Sequence, residues 1–434
     1  MSSEPTVTDE DGMKTEQSEF AAYIGLDWAD RKHDLCLQVG EDGRKRERSV
    51  LEHTPNAIHE WAEQIRKRFD GAKVAVCLEL AKGPIVSALL EHDFFVIFLV
   101  QPSLLAKYRA AFTPSHAKDD PTDAEFALEL MLRYPDRVQR VKQESSVMSM
   151  LRQLVEMRRG LVDDRVRVTN RITANLKAYF PQVLGLFREK DTGVFADFLQ
   201  RWPTLEAAKK ARRSALETFF REHNVRYQAT IDRRIDALKG EQALTTDESL
   251  IRPARLLVEV SLPQLKDLCL AIDRLEEEIG RCCAKLPDHK LFAALPGAGP
   301  ALAPRLLVAF GEQRERFPNA VAFQQYVGVA PVTERSGNKC WVHWRYSCST
   351  FLRQTFVEWV AQTITRSFWA KAFYEAYRAR GGAHLSALRA LAFKWIRVLY
   401  RCWVDRLPYD ESKYLMALQK RQAPLLKHAV ATAN

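Results

Sequence analysis

AAYIGLDWADRKHDLCLQVGEDGRKRERSV, residues 21–50, is the stretch that decides how the first part of this chain is read. AAYIGLDW is apolar and ends on an aspartate, HDLCLQVG follows a short turn, and EDG is a hairpin signal before RKRERSV. Three strands joined by tight turns result. Working outward, residues 55–69 (PNAIHEWAEQIRKRF) carry apolar positions at helical spacing, with Pro55 suited to a first turn. KVAVCLEL (73–80) reads as a fourth strand and GPIVSALLEH (83–92) as a short helix. FFVIFLV (94–100) is a fifth strand, apolar on both faces and therefore expected at the centre of a sheet. SLLAKYRAAF (103–112) is helical, and another helix starts near Asp120.

Three hairpin-joined strands followed by alternating helices and strands imply a mixed sheet with helices on its faces. That order is the one of an RNase H-like (RuvC-like) α/β domain, placed here at residues 21–142. Residues 143–181 contain no proline before Pro181, and Leu151, Val155, Val162, Thr169, Ile172, Leu176 and Tyr179 follow a three-to-four spacing. A long amphipathic helix, a candidate coiled coil, is expected there. It needs an apolar partner, either a second chain or the helix at 253–286. Residues 204–246 and 253–286 are also helical and charged, so 143–286 is read as a helical middle domain. A mostly helical unit follows at 287–405, then a tail at 406–434. Within it, ALPGAGPALAPRLLVAF (294–310) resembles a helix-hairpin-helix turn, with Gly297 and Gly299 permitting a tight backbone that suits a phosphate. Trp359, Trp369, Trp395 and Trp403 are expected in its core.

The 434 residues carry a net charge of +10, although the first 20 hold six acids against Lys14 and read as a disordered acidic tail. A basic excess suits a polyanion such as DNA or RNA. No apolar run reaches the ~18 residues of a membrane span. No secretory signal is visible, and the eight cysteines form no CxxC pair. A reducing cytoplasm is the expected setting. Along 143–181, Arg158, Arg159 and Arg165 are candidate phosphate contacts, with a solvated charged face as the competing reading.

Carboxylates recur where the elements end. Asp27 closes the first strand in IGLDW and Glu79 the fourth in VCLEL, while Asp120 and Asp123 lie in AKDDPTDAE. Pro121 favours the first helical position, which makes Asp120 a natural N-cap, and Asp123 follows on nearly the same face. First and fourth strands are neighbours in such a sheet, so all four acids could converge. They would repel one another unless cations sat between them, and Mg²⁺ takes oxygen ligands. Asp119 is a rival for Asp120.

Together with a second set of motifs, these residues resemble a known family. GLDW, CLEL and KDDPTDA resemble the DEDD tetrad of a RuvC-like domain. LPGAGPALAPRLLVAFG, FQQYVGVAPVTERSG and FLRQTF resemble the C-terminal domain of the same proteins, the insertion-sequence type one-ten transposases, viewed as bridge-RNA-guided recombinases. The resemblance implies a tetrad of Asp27, Glu79, Asp120 and Asp123 with Mg²⁺, and a serine nucleophile in the Ser-Gly step after Gly-x-Ala-Pro. Here Gly328, Ala330 and Pro331 lead to Ser336 and Gly337. Asp119 stands where the family has a small hydroxyl residue, and HWRYSCSTFLR replaces a basic glycine-containing segment, leaving Ser347 and Ser349 as rivals. Arg335, Lys339, Arg345 and Arg353 surround Ser336 as expected phosphate contacts.

The function this implies is cutting and rejoining of DNA through a phosphoserine, at sites chosen by a structured noncoding RNA. Dimers pairing into a tetramer would supply the two half-sites. A metal-dependent nuclease resolving branched DNA, or a nucleic-acid-binding protein without chemistry, are the alternatives.

Overall fold

The computed structural model describes residues 19–43, 45–79, 83–112, 120–141 and 144–422, with Asp120 described for its backbone alone. The acidic segment 1–18, Asp119 and residues 423–434 lie outside the described residues. Two compact units divide between Gln143 and Glu144.

The first unit is built on one mixed sheet. Its strands are β1 (Ala22–Asp27), β2 (Lys32–Val39), β3 (Arg46–Glu52), β4 (Val74–Leu78), β5 (Phe95–Leu99) and the short β6 (Gln139–Arg140), in the order β3-β2-β1-β4-β5-β6. β1 to β3 are antiparallel, β1, β4 and β5 run parallel, and β6 closes the edge antiparallel. Helices α1 (Pro55–Arg68), α2 (Pro84–Leu90), α3 (Pro102–Phe112) and α4 (Asp120–Arg133) complete it. Thr54 caps α1 by accepting from the Ala57 amide at 3.3 Å.

Strand alternation divides the apolar residues between two cores. Ile24, Leu26, Leu35, Leu37, Val76 and Leu78 pack with α1 and α2 on one face, while Tyr23, Cys36, Ala75 and Cys77 pack with α4 on the other. The expected neighbourhood of the first and fourth strands is observed. The fifth strand is not central: β5 has only two-residue β6 beyond it, and its apolar character comes from helices covering both faces. Phe20, read as part of the tail, is buried against Tyr23 and Phe98.

The second unit is organised by two long helices, α5 (Ser146–Tyr179) and α11 (Glu248–Lys285). Met148, Leu151 and Val155 of α5 share a core with Ile279, Cys282 and Cys283 of α11, whereas Ile172 and Leu176 share a second core with Val258 and Leu262. The two helices are therefore antiparallel, and each spans both cores. Between them lie α6 (Val183–Leu186), α7 (Gly193–Arg201), α8 (Leu205–Lys210), α9 (Arg213–Glu222) and α10 (Gln228–Gly240). The apolar stripe of 143–181 thus finds a partner within the chain.

The remaining elements are α12 (His289–Ala293), α13 (Gly299–Phe310), α14 (Ala320–Tyr326), a hairpin of β7 (Val332–Ser336) and β8 (Lys339–His343), then α15 (Thr350–Thr363), α16 (Phe368–Ala379), α17 (His384–Asp405) and α18 (Glu411–Lys420). Trp359, Trp369, Trp395 and Trp403 are buried in one core, as expected. Residues 406–422 are not a tail. Tyr409 accepts a hydrogen bond from Trp369 Nε1 at 2.8 Å, the Glu411 carboxylate receives the Phe368 amide at 2.8 Å, and Tyr414 and Leu418 pack on the same core.

Candidate functional site

Sheet register fixes where the N-terminal carboxylates stand. Gly25 of β1 is level with Cys77 of parallel β4, and Asp27 is level with Asp34 of antiparallel β2. Gly25, Cys36 and Cys77 face α4, so Asp27 and Asp34, two positions from Gly25 and Cys36 on paired strands, belong to that same face at one end of the sheet, and Glu79 follows the last residue of β4 at that end.

The direction of α4 follows from its ion pairs. Glu125 pairs with Arg46 and Arg48, and Glu129 with Arg46. Arg48 is level with Cys36 and hence Gly25, whereas Arg46 is level with Gln38 and hence Tyr23. Helix α4 therefore runs antiparallel to β1, and its N-terminus, with Asp120 and Asp123, points toward the Asp27 end. It also lies close: a Cβ on Gly25 would stand 1.9 Å from the Ala124 carbonyl oxygen and 2.7 Å from the Leu128 nitrogen, so only glycine admits the helix here.

Asp123 is 1% exposed, and Arg109 of α3 donates to both of its oxygens, Nε to Oδ1 at 2.5 Å and Nη2 to Oδ2 at 2.6 Å. Asp27 and Glu79 are both half-buried. Among the described residues no three carboxylate, imidazole or thiol groups stand ready to hold a metal together. Two participants escaped the sequence reading. Asp34 is 93% buried opposite Asp27; the alternation Asp34, Cys36, Gln38 along β2 was its signal. Arg109 gave no signal, because fourteen residues and a change of helix separate it from Asp123.

Ser336 lies in the second unit, at the exposed end of β7. It pairs with Lys339 across a two-residue turn whose first residue, Gly337, has φ +55°. The hairpin was not anticipated: its strands are short and solvent-facing, so the apolar periodicity that reveals strands is weak. The Arg335 and Lys339 side chains make no ion pair or hydrogen bond among the described residues. Arg345 donates through Nε to the Ala330 carbonyl at 3.2 Å, and Arg353 through Nη1 to the Arg345 carbonyl at 2.9 Å, which ties the hairpin's base. Trp344 continues that base with the Arg353 and Arg389 guanidiniums over its ring at 4.7 and 3.7 Å. Ser349 caps α15 by accepting from the Leu352 amide at 3.3 Å; Ser347 is exposed in the preceding bend.

The other candidate contacts sit differently. Arg158 binds Glu276 of α11 at 2.8 Å, Arg159 binds Asp163 at 3.1 Å and Glu358 at 3.2 Å, and Arg165 binds Asp191 at 3.1 Å. All three are engaged inside the chain rather than on a free basic face. Gly297 is pressed against α15, where a Cβ would meet Gln362 at 2.7 Å, while Gly299 opens to solvent at the start of α13.

Comparison with known proteins gives these placements a context. A profile described as "Transposase" matches residues 24–181, and one described as "Transposase IS116/IS110/IS902 family" matches residues 289–375. The IS117 mini-circle protein of Streptomyces coelicolor is 27% identical over 424 residues, covering 95% of this chain and 99% of that protein. This chain belongs to the IS110 family of transposases. The insertion element IS110 protein of 43.6 kDa from Streptomyces coelicolor is 25% identical to this transposase, over 71% of the chain and 76% of the relative. The insertion element IS900 protein of 42 kDa from Mycobacterium paratuberculosis is 21% identical, over 89% and 96% respectively. The first match spans the sheet, α4 and all of α5; the second runs from α12 through the Ser336 hairpin into α16. A transposase is an enzyme that cuts DNA, so DNA is the substrate. No helix among the described residues is long and apolar enough to cross a membrane.

Proposed function

We propose that this transposase cuts and rejoins DNA through a phosphoserine on Ser336, assisted by Mg²⁺ at Asp27, Glu79, Asp120 and Asp123. What supports this reading is that Asp27 stands level with Asp34 at the end of the sheet toward which the N-terminus of α4 points, with Glu79 next after β4. The sheet order is compatible with an RNase H-like domain of the DEDD type. The donor set is all oxygen, which suits Mg²⁺. Bound there, the ion supplies positive charge against the phosphate oxygens. Asp123 joins such a site by exchanging Arg109 for the cation, and Asp34 adds a further acid on the same face.

In the serine half of the site, Ser336 Oγ forms a bond to phosphorus while the strand's P–O bond breaks. The serine proton ends on the departing deoxyribose hydroxyl. Attack by the hydroxyl of a second strand reverses these bonds and frees the serine. Lys339, directly across the hairpin on the same face, offsets the charge that grows on the phosphate, while Arg335 adds positive charge from the opposite face. Gly299 and the start of α13 offer backbone amides to a phosphate, with Gly297 holding the turn against α15. Arg158, Arg159 and Arg165 reach nucleic acid only by leaving their carboxylates.

A structured noncoding RNA selecting the sites, the α5–α11 pair acting as a coiled coil, and dimers assembling into a tetramer complete the proposal. Light scattering of the full chain with and without RNA tests the assembly. The chemistry is tested by stalling the reaction and digesting the protein. A DNA-phosphate adduct on Ser336, absent in Ser336→Ala, supports it. An adduct on Ser347, Ser349 or a tyrosine, or cleavage with no adduct, rejects it in favour of another nucleophile or of water.

A further inference from the structure

Eight of the nine tryptophans are buried or half-buried, and four of them form the core around Trp395. Trp341 on β8 is the exception: it is 45% exposed, and among the described residues no ring stacks on it and no cation lies over it. Its indole offers a large apolar face with a polar N–H, a shape that suits contact with a partner that is part apolar and part wet.

Its position says what. Val332, Glu334 and Ser336 of β7 alternate onto one hairpin face together with Lys339, Trp341 and His343 of β8, because directly paired residues share a face. The Glu334–His343 ion pair at 3.2 Å runs diagonally across that face and confirms the alternation. Trp341 is paired with Glu334 and stands two residues from Lys339, the partner of Ser336. On a hairpin, such diagonal neighbours are about 7–8 Å apart at most.

Charge points the same way. Residues 332–353 hold Arg335, Lys339, Arg345 and Arg353 against one acid, Glu334, which is engaged with His343. An aromatic ring set in an excess of cations is the arrangement that holds single-stranded nucleic acid, the ring stacking a base and the cations tracking the backbone.

We propose that Trp341 is a stacking platform for an unpaired DNA base next to the phosphate that Ser336 attacks. This rests on the reading of Ser336 as nucleophile. The platform fixes the neighbouring nucleotide, so the phosphate is presented to the serine at one register along the strand. DNA rather than RNA is the occupant, because the serine beside the ring acts on DNA.

The test uses the full chain and a single-stranded oligodeoxythymidylate carrying 5-iododeoxyuridine. Irradiation followed by peptide mapping should place the crosslink on Trp341, in the wild type and in Ser336→Ala alike. Trp341→Leu should weaken binding of the oligodeoxythymidylate about tenfold, and Trp341→Phe by no more than about threefold. Equal binding by Trp341→Leu, or crosslinks only elsewhere, overturns the proposal. So does a preference of the Trp341 crosslink for an oligoribonucleotide, or a Trp341→Leu variant whose main change is a smaller assembly by light scattering. The two readings fail separately. A crosslink at Trp341 with the covalent adduct on another residue removes the nucleophile reading, whereas an adduct on Ser336 without the crosslink removes the platform.

Discussion

Arg109 holds Asp123 by both carboxylate oxygens, at 2.5 and 2.6 Å, in a place where Asp123 is 1% exposed. The pair is a lock on one of the four acids. Breaking a buried pair from one side costs about 3–5 kcal/mol, because the remaining charge is left without a partner. Arg109→Ala is therefore expected to lower the melting temperature by several degrees, and Asp123→Asn added to it should recover part of the loss. If Asp123 is a metal ligand, saturating Mg²⁺ should stabilise Arg109→Ala more than the wild type, which must first give up the ion pair. Equal Mg²⁺ effects in thermal melts of the two proteins would remove Asp123 from the ligand set.

Gly25 controls how near α4 comes to β1. Its missing Cβ would overlap the Ala124 carbonyl and the Leu128 nitrogen, both backbone atoms of a helix that cannot yield locally. Gly25→Ala is expected to push the helix outward, costing about 1–3 kcal/mol of stability and moving Asp123 away from the Asp27 end of the sheet. Activity should fall further than the melting temperature suggests. Retained activity in a stably folded Gly25→Ala would show that the approach of α4 does not matter to function.

The sheet was legible because its physics is local. The apolar runs of AAYIGLDW and KVAVCLEL mark the strands, and the chain order makes β1 and β4 neighbours, which brings Asp27 and Glu79 toward one end of the sheet. What was hidden depends on contacts distant in sequence. Arg109 meets Asp123 only after α3 and α4 are packed, and α18 docks through Tyr409 and Glu411 onto residues some forty positions earlier. The β7–β8 hairpin was missed for a different reason. VTERS and KCWVH bury almost nothing, so a reading based on burial periodicity passes over the strands that carry Ser336.

His33 gives the N-terminal unit an acid-sensitive point. It is fully buried, its Nδ1 accepts the Ala29 amide at 3.4 Å, and its Nε2 therefore carries the proton offered to His53 Nδ1 at 2.9 Å. Burial, and secondarily His53, pushes the His33 imidazole from 6.5 down to about 4. Between those values the unfolded chain binds a proton that the folded one refuses. This contribution to stability is complete above pH 6.5 and is lost as pH falls toward 4. Melting temperatures measured across that range should fall less steeply for His33→Leu than for the wild type, even if His33→Leu is less stable throughout. Parallel acid limbs would show that His33 is not the group responsible.

Two sets of arginines and lysines compete for the role of phosphate contact, and salt separates them. Among the described residues no acid holds Arg335 or Lys339, the neighbours of Ser336 along β7 and across the hairpin, so a phosphate reaching either displaces water and counterions. Arg158, Arg159 and Arg165 are each bound to carboxylates of their own chain, and a phosphate must first break those pairs. Each phosphate contact contributes roughly 0.7–0.9 to the slope of log affinity against log salt. Arg335→Ala with Lys339→Ala should therefore reduce the slope for single-stranded DNA by about 1.4 and weaken binding most at low salt. Both side chains are exposed, so the melting temperature should not move. Arg158→Ala with Arg165→Ala should do the opposite, lowering thermal stability by loosening α5 from its neighbours while leaving the slope in place. The measurement is a salt titration of binding for the two double variants beside the wild type. A slope that falls for the α5 pair and not for the hairpin pair would move the nucleic-acid face from the Ser336 hairpin to the long helix.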